Sequence, residues 1–282
     1  MLLFKCPEAL ASYLRFRKES GDKIGFVPTM GALHEGHLSL VRRSCLETDL
    51  TVCSIFVNPT QFNEASDLSA YPSTPGPDLL SLYQGGCQVL FRPDASGIYP
   101  EGTVQERRFD LGLLETTMEG VFRPGHFQGV AQVVLRLLQI VTPDRLYMGL
   151  KDFQQCAVVG RLLRTESLPG VELICCPIVR ESDGLAMSSR NVRIDPSLRP
   201  VAATLYQVLL QARERFHSAP VDTVRQEAVL TLAAAGFRPE YFSIVDRDSL
   251  QPVESPSDSA HPVACVAAWL GSVRLIDNLS LY

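Results

Sequence analysis

The sequence predicts an α/β chain: a parallel sheet with helices on both faces, followed by a smaller α+β domain. Three observations predict it. Short β-branched runs alternate with helix-period segments through the first two thirds of the chain. The periodicity changes near Pro177, beyond which two helical segments are followed by adjacent strands. The length of 282 residues allows one large domain or two modest ones.

Taken in order, Ile24 to Val27 is a short buried strand, followed by a Gly-rich turn and a helix from about Gly36. Leu50 to Val57 is a longer β-branched strand, Asp78 to Tyr83 a helix and Gln88 to Phe91 a third strand. Phe127, Val130, Val133, Val134, Leu137, Leu138 and Val141 recur at spacings of three and four, which predicts a helix over Gly125 to Val141. Arg145 to Met148 is a strand, Asp152 to Glu166 a helix and Val171 to Cys176 a strand. Strands alternating with helices imply a parallel sheet buried on both faces. Arg199 to His217 and Val221 to Ala235 then read as helices, and Tyr241 to Val245, Val263 to Leu270 and Val273 to Ile276 as strands of an antiparallel sheet. The boundary divides the chain into 1–178 and 179–282.

Composition excludes several classes. The formal charge of −5, from 26 Lys+Arg against 31 Asp+Glu, argues against a generally basic nucleic-acid coat. It does not argue against a local anion pocket. No apolar run approaches the ~18–20 residues of a membrane span, and the first residues lack the pattern of a secretory signal, so a cytoplasmic protein is expected. The eight cysteines form no CxxC pair, so neither a disulfide framework nor a zinc cage is expected.

The chemistry gathers in a few loops. Pro28-Thr-Met-Gly-Ala-Leu-His-Glu-Gly-His37 follows a strand and opens a helix, where open α/β sheets bind ligands. Its free N–H groups favour an anion such as phosphate, and His34 and His37, three apart, can face one ligand. A metal pair or a helix cap are the alternatives for these histidines. The segment is neither a G-x-x-x-x-G-K-[ST] loop nor a dinucleotide fingerprint. Phe56-Val-Asn-Pro-Thr-Gln-Phe62 offers Asn58 and Gln61 to a hydroxy or carboxylate substrate, or is a plain Asn-Pro turn. Met148 to Gln155 again follows a strand. There Lys151 suits phosphate oxygens, Asp152 is an N-cap candidate and Gln155 lies one turn on. Ser188, Ser189 and Arg190 have the composition of a phosphate clamp, or of a Ser-rich linker. Arg123 could reach a carboxylate or phosphate, and His126 is as readily a cap for the helix after it.

Together these segments, with Arg123-Pro-Gly-His-Phe127, Lys151-Asp-Phe-Gln-Gln155, Met187-Ser-Ser-Arg-Asn191 and Ala267-Ala-Trp-Leu-Gly271, resemble the pantothenate synthetase (pantoate–β-alanine ligase) family from one end of the chain to the other. His34-Glu-Gly-His37 looks like the HxGH element of the nucleotidyl transferase superfamily, and Met187 to Arg190 like its second signature. The resemblance implies a Rossmann-like domain over 1–178 that binds ATP and pantoate, and a C-terminal lid domain over 179–282 that closes over a labile acyl adenylate. It implies an ATP site lined by Pro28, Met30, Gly31, Ala32, Leu33, His34, Glu35, Gly36 and His37, and completed by Gly149, Leu150, Lys151, Asp152, Val179, Met187, Ser188, Ser189 and Arg190. His37 sits where the family places its proton donor. Gln61 matches the glutamine contacting pantoate and β-alanine, and Gln155 the one binding pantoate. Leu150 departs from the polar residue the family often has there. The implied reaction joins pantoate and β-alanine at the expense of ATP with Mg2+ through a pantoyl adenylate, in a cytoplasmic homodimer with no nucleic-acid or membrane partner. A nucleotidyl transferase forming no amide, a tRNA ligase-like protein and a non-catalytic metabolite binder are the competing classes.

Overall fold

Short, largely apolar runs pair edge to edge into a parallel sheet in the first part of the chain. The computed structural model describes residues 1–63, 65–103, 107–166, 168 and 170–282. They form two units: Met1–Leu150 with Gln154–Pro177, and Lys151–Phe153 with Ile178–Tyr282.

The sheet of the first unit comprises β1 (Leu2–Phe4), β2 (Ile24–Thr29), β3 (Leu50–Ile55), β4 (Val89–Phe91), β5 (Arg145–Gly149) and β6 (Glu172–Cys176) in the order β1-β4-β3-β2-β5-β6. Its pairings are parallel, with Ile24 opposite Leu50 and Gly25 opposite Arg145. The helices are α1 (Pro7–Glu19), α2 (Glu35–Glu47), α3 (Ala65–Ser69), α4 (Pro75–Gln84), α5 (Ala95–Ile98), α6 (Glu119–Phe122), α7 (His126–Val141) and α8 (Phe153–Thr165). Val27, Cys53 and Leu90 pack with Leu40 and Val41 of α2 and Leu82 of α4. α7 buries twelve of its sixteen residues, which is why its sequence pattern is the cleanest in the chain. Growth of the sheet reverses at β2, which has β3 on one side and β5 on the other. The crevice beyond the carboxyl ends of such neighbours is the usual ligand site of an open α/β sheet. The segments leaving β2 and β5 are Pro28–His37 and Gly149–Gln155.

The second unit is an antiparallel sheet of β7 (Arg238–Asp246), β8 (Pro262–Leu270) and β9 (Val273–Ser280) with α9 (Thr204–Arg215) and α10 (Val221–Ala234). Leu205, Val208, Leu209 and Phe216 pack on Ile244, Ala264, Val266 and Leu275. No helix among the described residues is long and apolar enough to cross a membrane.

Several boundaries differ from the sequence reading. The helix expected over Arg199 to His217 is a 3-10 turn, Arg199–Val201, followed by α9. Pro200 lies in the first turn, the position its ring tolerates. The helix expected from Asp78 starts at Pro75 for the same reason. β9 runs on to Ser280, since pairing with β8 carries its polar end. β1 and α1 have no counterpart in the sequence reading. β1 is a three-residue edge strand with little pattern of its own, and α1 is a weakly apolar helix burying only Leu10 and Leu14.

Candidate active site

The turn after β2 passes through the left-handed region at Gly31 (φ +82°) and Ala32 (φ +48°). A residue with a side chain pays strain there, and the buried carboxylate of Asp78 holds the turn in place. Its Oδ2 accepts the Ala32 N–H and its Oδ1 the Leu33 N–H, both at 2.9 Å. Thr74 Oγ1 donates to Oδ1 at 3.0 Å. The sequence reading saw Asp78 only as a helix start. Asp78→Asn puts an amide N–H against one of these backbone N–H groups. We expect it to cost about 1–3 kcal/mol of stability and to lower ligase turnover, measured by urea denaturation and product formation. Unchanged values of both would remove this role.

The held turn delivers His34 to the N-cap of α2. Gly36 N–H donates to His34 Nδ1 at 3.2 Å and His34 N–H to His37 Nδ1 at 3.3 Å, a reciprocal capping box. A ring nitrogen that accepts carries no proton, so each neutral imidazole holds its hydrogen on Nε2. The rings lie 4.0 Å apart, centre to centre. Two Nε2–H donors thus lie at the N-terminus of a thirteen-residue helix, whose dipole adds to their pull on an oxyanion. The capping alternative and the anion-binding one are therefore compatible, because capping uses Nδ1 alone. Among the described residues no group of three His, Cys, Asp or Glu side chains is gathered for a metal ion. Glu35 pairs with Arg42, whose hydrogen bond holds its carboxyl below the usual range. Glu35 can serve the site through its backbone.

Beyond β3, Asn58 is the buried hub of the Asn-Pro turn. Its Oδ1 accepts from Tyr99 Oη at 2.8 Å, and its Nδ2 donates to Gly129 O and Gln61 Oε1, both at 3.2 Å. Gln61 Nε2 lies 3.0 Å from Met30 Sδ, so the turns after β2 and β3 meet. The Gln61 carbonyl accepts from His126 Nδ1 at 2.8 Å and from Arg123 Nη2 at 3.4 Å. Arg123 Nη1 lies 2.9 Å from His126 Nε2 and 3.6 Å from Glu119. His126 is therefore a Nδ1–H tautomer that braces Gln61. It does not cap α7, whose N-cap Gly125 has no side-chain bond. In this structure Arg123 is engaged by Glu119, His126 and the Gln61 main chain.

On α8 the two adjacent glutamines separate. Gln154 is buried, accepts from Glu119 N–H at 3.0 Å and donates to Leu114 O at 2.8 Å and Thr117 O at 3.0 Å. Gln155 is half-buried on a different side of the helix.

In the second unit, Lys151 is half-buried with its Nζ 3.3 Å from Asp152 Oδ1. The signature loop ends a small hairpin: Arg180 bridges Ala186, and Met187 N–H donates to Val179 O at 3.0 Å. Ser188 caps the 3-10 turn Ser189–Arg193 by accepting from Arg190 N–H. Asn191 Nδ2 donates to Glu181 Oε1 at 2.7 Å. Arg199 joins Glu181 and Asp183, and its hydrogen bond holds the Asp183 carboxyl below its ordinary value. Of these, Glu181 and Arg199, with Arg180, Asp277 and Asn278 considered below, carried no site signal in the sequence reading.

The family model for pantoate-β-alanine ligase matches residues 3–280. The pantothenate synthetase of Porphyromonas gingivalis strain W83 is 44% identical over 280 residues, covering 99% of each chain. That of Phocaeicola vulgatus is 45% identical over 280 residues, again covering 99% of each. The crystal structure of pantothenate synthetase from Thermus thermophilus superposes with a TM-score of 0.92 at 40% identity and covers all of both chains. The Francisella tularensis pantoate-β-alanine ligase, solved with β-γ ATP and β-alanine, gives 0.82 at 34% identity, covering 100% of this chain and 98% of that one. Matched over nearly its whole length, the chain belongs to the pantoate–β-alanine ligase family.

Proposed function

We propose that this chain condenses pantoate with β-alanine to give pantothenate, converting ATP to AMP and pyrophosphate through a pantoyl adenylate. The observation that carries the residue assignments is the closely apposed, tilted His34–His37 pair at the start of α2, at the reversal point of the sheet. Residues 1–178 form the ATP- and pantoate-binding part and 179–282 the lid. The ATP-lining residues are those expected from the sequence: Pro28 and Met30 to His37, Gly149 to Asp152, Val179, and Met187 to Arg190. Mg2+ enters with the triphosphate as MgATP.

The pantoate carboxylate attacks the α-phosphate and pyrophosphate leaves. Negative charge builds on the phosphate oxygens, where His34 and His37 donate hydrogen bonds and Lys151, Ser188, Ser189 and Arg190 add donors and positive charge. The β-alanine amine then displaces AMP from the acyl carbon. Gln61, held by His126 and Arg123, orients pantoate and β-alanine, and Gln155 orients pantoate, which lowers the entropy cost of both steps. The protein works as a cytoplasmic homodimer.

Incubating the protein with MgATP, pantoate and β-alanine, and omitting each in turn, tests this. Pantothenate and AMP are expected in equal amounts and only with all three substrates. Absence of pantothenate from the complete mixture would overturn the reading, and pyrophosphate release with neither pantothenate nor free AMP would point to a nucleotidyl transferase, which leaves the AMP on its acceptor.

A further inference from the structure

We propose that the Asp277–Asn278 pair on β9 is a positioning element for adenylation. It sets Lys151 and the Met187–Arg190 loop in register with each other, although neither Asp277 nor Asn278 touches substrate. The inference rests on the phosphate-binding roles proposed above for Lys151 and the loop.

Asp277 is the most completely buried carboxylate in the second unit's ion pairs, with its side chain 0% exposed. Its two oxygens accept from Arg180 Nη1 at 2.6 Å and Nη2 at 3.0 Å. The same guanidinium donates to Gly184 O at 3.0 Å and Asn278 O at 3.3 Å. It also stacks on Tyr206, 3.8 Å from the ring centre. Arg180 thus satisfies several acceptors in a fixed plane, as a rigid guanidinium can and a lysine cannot. It belongs to the hairpin whose far strand runs through Ala186 into Met187. Anchoring Arg180 therefore anchors the base of the signature loop.

The next residue reaches the other segment. Asn278 N–H donates to Asp277 Oδ1 at 2.7 Å, and its side-chain Nδ2 donates to the Lys151 carbonyl at 3.1 Å. Lys151–Phe153 group with this unit although the chain on either side belongs to the first. Burial pushes the Asp277 carboxyl up, opposed first by the hydrogen bond and charge of Arg180, then by the Asn278 N–H and last by the charge of Lys151. Two segments far apart in sequence, each bringing cations, are tied to consecutive residues of one strand. Preorganised charge of this kind loses effect when displaced by as little as an ångström.

The test is a double-mutant cycle read by pantoate-dependent exchange of pyrophosphate into ATP. Asn278→Ala, Lys151→Ala and the double variant are compared. Asp277→Asn, Arg190→Ala and their double variant form a second cycle. We expect Asn278→Ala to lower the exchange kcat by about 10- to 100-fold, with KM for pantoate unchanged. In the Lys151→Ala background the further loss should be less than about 2-fold. The second cycle should show the same non-additivity. Equal losses in both backgrounds, or no loss in a folded Asn278→Ala protein, would overturn the inference while leaving the function intact. Wild-type exchange by Lys151→Ala would overturn the proposed site and this inference with it. Should Asn278→Ala fail to fold, Asn278→Ser removes the same donor reach and is judged by the same criteria.

Discussion

Lys151→Ala is expected to lower the rate of pantoyl-adenylate formation by about 10²–10³-fold, and His37→Ala by a comparable factor. The reason is where charge appears. As the carboxylate attacks the α-phosphate, negative charge grows on oxygens that must be met by groups already in place. Lys151 is a compact cation in the turn Leu150–Asp152 after β5, half-buried and so only partly screened by water. His37 offers Nε2–H because its Nδ1 is committed to the His34 N–H. Removing either side chain leaves a developing charge without its donor. The fold should survive: Lys151 is not in either apolar core, and losing the His37 half of the capping box costs about 1 kcal/mol. Stopped-flow pyrophosphate release and thermal melts on the purified variants give the two quantities. Turnover within a few-fold of wild type would remove the assigned role from that residue.

Gly129→Ala is expected to be the most damaging single-methyl change near the site. A Cβ at Gly129 would lie 2.3 Å from Thr60 O, 2.6 Å from Thr60 C and 2.9 Å from Gln61 N. These are backbone atoms and cannot rotate away. α7 would have to part from the turn Pro59–Gln61, breaking the Asn58 bond to Gly129 O and shifting Gln61. Overpacking of this kind costs about 1–3 kcal/mol or somewhat more. We expect a loss of about 3 kcal/mol in urea denaturation and at least about a 10-fold rise in KM for pantoate. The linked readouts distinguish this from general destabilisation. A variant with lowered stability and wild-type KM would show that the turn does not position substrate.

The two predictions draw on different kinds of information. His37 and Lys151 were legible in the sequence because each lies in a local motif between a strand and a helix, and such motifs advertise themselves by spacing. Gly129 was not, since nothing in Gln128-Gly129-Val130 reports that another chain segment lies against it. Gln154 and Gln155 make the same point. They are identical neighbours in sequence, and only packing shows that Gln154 ties down the segment from Leu114 to Glu119.

The sequence by itself determined the alternation of strands and helices, the change of class after Pro177, the loops that carry the polar chemistry, and the family they resemble. All of these depend on contacts within a turn or a helix repeat, where side-chain period and backbone geometry correlate over a few residues. The tertiary structure decided what holds those loops in place. Asp78 grips Ala32 from 46 residues away, Arg180 meets Asp277 across 97, and Asn278 reaches the Lys151 carbonyl across 127. Partners so distant in the chain are chosen by burial. A polar group removed from water must find its complement wherever the fold brings one within hydrogen-bond reach, and no local pattern records where that is.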